Sequence, residues 1–514
     1  MKNNKLSTAQ LMLMSTGGMI GCGWLFSPYY GFETAGVGVL LSWLIVAILT
    51  LIIALTFAEV ITIAPIVGGL SRFIGITHNR TTSFVFLAVG WLSYVVYLPI
   101  EVQSAMQYFS FWCNDLVIEN QAGITLSKIG LFVSFALITL LTWFNCFLLK
   151  NVARVNSLVS IWKILAPIAI AWVLIALFGS WENVNFVNLH HEFSLEKSLL
   201  AITGSGLAFA FTGFQNGLIL ANSTSNPRKA LPYSLFAPIL IGLILYSSLS
   251  LIYIACLGDK KIPSGSAAPL LGIVSLFGIH VVINILFIDA VLAPLGTANV
   301  YTAATSRILL GLAKDFFPKT PFNKLNKFSS PAYCLWFNAF VGAGFLLPFP
   351  TWQQLVDFLS SVVVFSYLAG PIVLIVLRQE LPELNRPFKL LAYKLIGYGG
   401  FACCSLLIYW SNIRNLIYLA ALTGALILIH ILLIEKKPTH LINSLKSNFF
   451  ISAYLLALLA IKFLHQEKMI LFPIDNIFIV TISYLACRIF VGKKVNKKQI
   501  QSNLERISKE VEQC

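Results

Sequence analysis

The chain has 514 residues, 58% of them hydrophobic and only 11% charged, with a mean hydropathy of +0.84. That leaves too little polar surface for a water-soluble globule, so the composition excludes a soluble enzyme or binding module and implies an all-α polytopic membrane protein. A formal net charge of +15 could point to nucleic acid, but a chain that crosses a bilayer many times distributes Lys and Arg by topology instead.

At roughly 20 apolar residues per crossing, hydropathy divides the chain into about fourteen spans. They run over 8–31, 36–62, 83–112, 128–149, 155–179, 197–222, 232–257, 271–310, 331–349, 353–377, 389–410, 414–434, 448–464 and 470–491. The eighth is too long for one straight crossing and should continue as a helix into the adjoining loop. The first 18 residues have a basic start and an apolar run like a signal peptide, but apolar sequence continues past any cleavage-like site, so the segment is expected to be retained. With the N-terminus inside, most of the 35 Lys and Arg fall in inner loops and tail, which predicts both termini in the cytoplasm.

The first span is interrupted where its middle should be. Thr16 to Phe26 carries Gly17, Gly18, Gly21 and Gly23. Irregular backbone survives at that depth only where protein or a water-filled cavity receives it. A half-helix starting near Trp24 would aim free N–H groups at the gap and favour an anion, and carbonyls left by a half-helix ending near Gly17 would favour a cation. An amino acid carries both charges. The competing reading is that these are close-packing glycines of a helix–helix contact.

Further along, Glu59 closes the second span, followed by Pro65, Gly68, Gly69 and Arg72; it is either a solvated or Arg-paired interface residue or part of a gate. Pro99 and Glu101 sit together in the third span. An ionisable residue there faces the bundle interior, pairs, or marks an ion path, unless it lies nearer the outer interface. Lys163, in the fifth span, lies about 13 Å along the helix from Arg154, too deep to be one more rim cation beside Lys150 and Arg154. Burial rather than snorkelling is expected, which makes Lys163 a candidate proton carrier. The sixth span has a second glycine-rich interruption, from Gly204 through Gly206 and Gly213 to Gln215. Paired broken helices at corresponding positions point to an inverted repeat with a midplane site. The eighth span contains Asp289, Pro294, Thr297 and Arg307, with Asp289 read like Glu101. After residue 388 four further spans follow. The tail opens with Lys493, Lys494, Lys497 and Lys498, which can hold to anionic lipid heads. Ile500, Leu504, Ile507 and Val511 then repeat at helical spacing, as in a short amphipathic helix on the membrane or on the protein. The nine cysteines form no CxxC and no His/Cys cluster, so neither a metal nor a disulfide framework is expected.

These residues resemble the amino acid–polyamine–organocation (APC) transporters. Gly18 to Phe26 is similar to that family's first-helix motif, Phe209 to Phe214 with Asn226-Pro227-Arg228 to its sixth helix and following loop, and Glu59 with Pro65, Gly68 and Gly69 to its second-helix motif. Within the family, Ile100-Glu101-Val102, Asp289-Ala290 with Pro294, Leu347-Pro348-Phe349-Pro350 and Leu384-Asn385-Arg386-Pro387-Phe388 resemble the bacterial aspartate:proton symporter type. The resemblance implies an inverted-repeat fold of five plus five helices. Residues 1–180 form one repeat, 195–378 the second, 388–491 about four extra helices, and 492–514 a basic cytoplasmic tail. It implies a substrate carboxylate held by N–H groups around Cys22 and Gly23, and an ammonium held by carbonyls near Met19 and Phe209. Phe209 covers the substrate, with Gly213 in the same site. Lys163 would occupy the place of a coupling sodium ion beside Thr297, and Glu101 and Asp289 are further candidates in proton coupling. Many relatives have acidic residues where Gln215, Asn222 and Ser223 stand here, which puts a carboxylate-based inner gate in doubt.

The function this implies is secondary amino acid transport in the plasma (inner) membrane. It would be proton-coupled symport by alternating access, with no cofactor beyond the proton and with lipids rather than nucleic acid as surroundings. An amino acid or polyamine exchanger on the same fold is the alternative, then a channel or nutrient sensor. A membrane enzyme should show convergent His, Asp or metal ligands, and an ATP-driven pump should show a GxxxxGK[ST] loop; neither pattern occurs.

Overall fold

The structure is a computed structural model that describes residues 7–63, 69–120, 123–147, 152–190, 193–216, 227–257, 267–435 and 441–512. Pro65, Gly68, Lys150, Asn222, Ser223 and Asn226, used above, lie outside the described residues, as do the side chains of Arg154 and Val511. The fold is a helical bundle with one small hairpin. In order it runs α1 (Thr8–Met19), α2 (Gly23–Ala35), α3 (Val39–Ile63), α4 (Ile74–Thr77), α5 (Arg80–Phe109), β1 (Val117–Asn120), β2 (Gly123–Leu126), α6 (Lys128–Phe147), α7 (Val152–Phe178) and α8 (Trp181–His190). Then come α9 (Leu195–Gly204), α10 (Leu207–Ala210), α11 (Pro227–Cys256), α12 (Pro269–Ser275), α13 (His280–Phe316), α14 (Ala332–Gly344), α15 (Trp352–Tyr367) and α16 (Ala369–Glu380). The chain closes with α17 (Tyr393–Trp410), α18 (Ile413–Ile429), α19 (Leu441–Gln466), α20 (Ile474–Gly492) and α21 (Lys497–Glu512).

Among the described residues, 10 helical runs are long and apolar enough to cross a membrane. Helices satisfy all backbone polar groups within the segment, which is what a bilayer demands. Large apolar side chains on α6, α7 and α14, among them Phe132, Leu165, Leu177 and Phe340, point outward. Such a face is stable against lipid, and the chain is a multi-pass membrane protein. The eighth predicted span is two helices: α12 ends at Ser275, and α13 then runs unbroken to Phe316.

α5 is the central post. It packs on α13 and α15 and is buried along most of its length, so Glu101 on it faces protein, while Arg80 at its start is exposed. Helices α17 to α20 pack beside this core, α17 against α3 and α20. Gly397 and Gly400 let it approach, since a Cβ on either would lie 2.7 Å from Ile375 or 2.9 Å from Thr56; small residues make such contacts where lipid supplies no hydrophobic drive.

Glu59 ends α3 fully buried and paired, not solvated. Its carboxylate meets Arg378 Nε at 2.7 Å and Arg386 Nε at 3.1 Å, and it accepts from Arg378 Nη2 and the Leu390 N–H, each at 2.8 Å. The tail is also spoken for. Lys494 pairs with Glu380 at 2.9 Å and Lys497 with Glu383 at 3.4 Å, while Ile500 and Ile507 are buried. α21 therefore docks on the protein itself, against α4.

Candidate functional site

The first helix breaks at Ile20-Gly21-Cys22, between α1 and α2. Gly17 and Gly18 are still helical: the Ile20 N–H donates to the Thr16 carbonyl at 2.9 Å. Their missing side chains make room for Ser160 and Asn216, so for these two the packing reading holds. Gly21 and Gly23 flank the break itself. A Cβ on Gly21 would run into the Glu101 carboxylate, and one on Gly23 would lie 3.0 Å from Cα and Cβ of Ala210. The first N–H groups of α2 have no intrahelical partner by construction.

The sixth helix is irregular at two points. Gly206 (φ +76°) separates α9 from the single turn α10, and Gly213 (φ +104°) lies in the turn beyond, both in backbone regions that L side chains rarely adopt. Ser27 Oγ donates to the Gly206 carbonyl at 2.9 Å, which ties the first point to α2. A Cβ on Gly213 would lie 2.8 Å from the Gly18 carbonyl oxygen and from Met19 Cα. The turn of the sixth helix thus packs against the backbone at the end of α1, next to the first-helix break.

Lys163, 2% exposed, reaches this junction from α7. Its ammonium donates to the Ile20 carbonyl at 3.2 Å, the Ala293 carbonyl at 2.9 Å and Thr297 Oγ1 at 2.8 Å. The first-helix carbonyl that meets this cation is thus that of Ile20 rather than one near Gly17, because the break falls later than its glycines suggest. Three N–H donors of an ammonium meet three oxygens. Glu101, 1% exposed, lies against the Cys22 N–H and thiol at the break, and its Oε2 has no hydrogen-bond partner among the described residues. Asp289, 4% exposed, is also buried, and both carboxylates act electrostatically on Lys163.

Aromatic rings close over the junction. Phe209 lies 5.7 Å from Tyr97 and, edge-on, 6.0 Å from Trp352. Trp352 stacks on Phe26 at 4.5 Å and donates Nε1–H to Cys22 Sγ at 3.2 Å, while Tyr97 stacks on Tyr301 at 3.9 Å. Sequence reasoning missed Trp352, Tyr97 and Tyr301, since aromatic residues abound in such a chain. Gln215 is better understood from its contacts than from the acid it replaces. Its amide donates to Tyr94 Oη at 3.1 Å, and its Oε1 accepts from the Tyr367 hydroxyl at 3.1 Å and the Gly213 N–H at 2.9 Å. A neutral amide can donate and accept at once, which a carboxylate cannot; α5, the sixth helix and α15 are joined here without charge.

The structure thus brings Met19, Cys22, Gly23, Phe209, Gly213, Lys163, Thr297 and Glu101 to one junction, with Asp289 buried within electrostatic reach of Lys163. The carbonyls of Phe209 and Ala210 already accept from the Thr212 N–H and the Tyr246 hydroxyl, each at 2.8 Å. Among the described residues no three His, Cys, Asp or Glu side chains are grouped to hold a metal ion.

Comparison with known proteins bears on this geometry. The chain is 28% identical to the glutamate/serine transporter AimA of Bacillus subtilis over 91% of this chain and 88% of that one. It is 28% identical to the aspartate-proton symporter of the same organism, over 92% and 93%. A branched-chain amino acid permease, BcaP of Bacillus subtilis, is 26% identical over 75% and 83%. Among solved structures, a mutant manganese transporter of Eremococcus coleocola shares the fold, with a TM-score of 0.51 at 14% identity over 90% of this chain and 96% of that one. These relatives are transporters and permeases, not enzymes. The amino acid permease family model matches residues 6–434, and the chain belongs to that family.

Proposed function

We propose that this permease is a secondary transporter that moves an amino acid together with a proton by alternating access. The observation that carries the coupling is the Lys163 ammonium, whose three donors meet oxygens of the first-helix break and of α13. A neutral amine has one N–H fewer and a lone pair instead, so proton loss removes a contact from that junction. The proton's different affinity for the joined and released arrangements then biases the switch. The substrate carboxylate rests on N–H groups around Cys22 and Gly23, its ammonium near the Met19 carbonyl, and Phe209 and Gly213 form the facing wall. The balance of two buried carboxylates, Glu101 and Asp289, against one ammonium favours a neutral amino acid over an acidic one. The same reading takes residues 1–180 and 195–378 as inverted five-helix repeats and 388–491 as further crossings, about fourteen spans in all. The protein sits in the plasma (inner) membrane with both termini in the cytoplasm.

The test is Lys163→Gln in proteoliposomes. Glutamine keeps hydrogen bonding but cannot titrate, so counterflow of labelled substrate survives while accumulation under an imposed pH gradient is lost. A Lys163→Gln protein that still concentrates substrate moves the proton site to Glu101 or Asp289; absence of counterflow in the wild type removes the carrier reading altogether.

Phe209 offers a check on the substrate wall. Its ring contributes by contact and occlusion, so Phe209→Ala is expected to weaken uptake about tenfold or more, the equivalent of losing part of a buried aromatic contact. Phe209→Trp is expected to reorder preference across a panel of amino acids. If both variants keep wild-type relative uptake over the panel, Phe209 does not touch substrate.

A further inference from the structure

Where α4, the first turn of α5, the end of α13 and the tail helix α21 meet, they border an open cavity of about 290 Å³. Three arginines face it: Arg72, Arg80 and Arg506. Arg72 is committed to a fork with Asp315, Nε to Oδ2 and Nη2 to Oδ1, both at 2.9 Å. Arg80 gives one N–H to the Asp315 backbone carbonyl at 3.3 Å and lies over the Phe316 ring at 5.5 Å, but neither it nor Arg506 has a carboxylate partner among the described residues. After the Arg72–Asp315 pair cancels, two positive charges remain facing one hollow. His78 in the same wall adds none. Both ring nitrogens are engaged, by Thr77 Oγ1 and the Phe490 carbonyl, each at 2.8 Å, and burial pushes its imidazole down to about 4. Ser83 brings a hydroxyl from the first turn of α5, the positive end of a 30-residue helix.

We infer that this cavity binds a phosphate-bearing anion held between Arg80 and Arg506, joining the tail helix to the loop ahead of α5. Guanidinium forks match phosphate oxygens in geometry as well as charge. The hollow is far larger than a bare phosphate and suits a phosphate ester. A nucleotide base finds no stacking surface, because Phe316 already carries Arg80 and is met by Phe84 and His430. On the tail wall, Arg506 is the group left to meet an anion, because Asn503 spends its amide on the Gly75 and Ile76 carbonyls at 3.3 and 3.1 Å. The same chemistry is offered by an anionic lipid headgroup and by a soluble phosphate ester.

The experiment uses the full chain in nanodiscs and reads its thermal transition. One arm compares phosphatidylcholine with phosphatidylcholine containing phosphatidylglycerol; the other adds glycerol 3-phosphate to pure phosphatidylcholine discs, at ionic strength matched with chloride. The wild type is expected to be stabilised in one arm, which identifies the source. Arg80→Gln and Arg506→Gln are each expected to raise the half-saturating concentration about tenfold, as loss of a charged hydrogen bond does, and Lys319→Gln, an exposed cation outside the cavity, should leave it unchanged. A wild type indifferent in both arms overturns the proposal. So does a response in Arg80→Gln and Arg506→Gln equal to that of the wild type.

Discussion

Leucine at Gly23 is expected to abolish substrate binding and uptake while the chain still inserts and folds. A Cβ alone would stand 3.0 Å from both Cα and Cβ of Ala210 and 3.5 Å from Phe209 Cδ1. The first of these is backbone, which cannot swing aside as a side-chain tip can. Leucine adds three further carbons in the space where the sixth helix meets the first, and overpacking of this kind costs up to about 3 kcal/mol, roughly 150-fold in a binding constant. The strain falls on the α2 start, where the proposed carboxylate-binding N–H groups lie, rather than on the outer bundle. Membrane insertion followed by a substrate-dependent thermal shift would separate the two. Near-normal uptake by Gly23→Leu would mean that these glycines serve helix packing and nothing else.

The largest loss of stability is expected from Glu59→Gln. Two guanidinium groups, 10% and 2% exposed, meet this one fully buried carboxylate. Removing a single partner from a buried pair is costly, about 3–5 kcal/mol, because it leaves the remaining charge uncompensated. Here two cations would be left facing each other, and the Leu390 N–H would lose a charged acceptor. The expected result is a marked fall in the thermal transition of the detergent-solubilised protein, with loss of expression at higher temperature. Adding Arg378→Gln to Glu59→Gln should recover part of it, since one stranded charge goes with the carboxylate. If Glu59→Gln melts with the wild type, the ion cluster carries no structural weight.

Legibility varied by the kind of contact involved. Burial of Lys163 could be inferred from its depth along a helix, a local property, whereas its carbonyl partners depend on where the first helix stops. Gly17, Gly18, Gly21 and Gly23 look alike in a sequence. Glycine serves both close packing and irregular backbone, and only the fold shows that the first two do the former and the latter two flank the break. The partners of Glu101 were illegible for a similar reason: a carboxylate beside Pro99 has no readable neighbour until α5 is placed against the first-helix break. Glu59 pairs with Arg378 across 319 residues and Trp352 meets Cys22 across 330, separations over which no periodicity carries information. Gln215 shows the hazard of reasoning from a missing charge, since the amide donates to Tyr94 Oη as well as accepting, and a carboxylate could only accept.

The docking of α21 on α4 also sets a clock for biosynthesis. The Gly75 carbonyl receives Asn503 across a separation of 428 residues, so the loop ahead of α5 leaves the ribosome long before its partner exists. At about 5–20 residues per second that interval is roughly 20–90 s. Throughout it, the carbonyls of Gly75 and Ile76 lack the Asn503 amide, and that of Thr77 lacks the Val495 N–H, which it meets at 2.8 Å in the finished fold. A reporter fused directly after α21, which runs to Glu512, would abut the docked helix itself, so a spacer between tail and reporter is the safer way to label this protein.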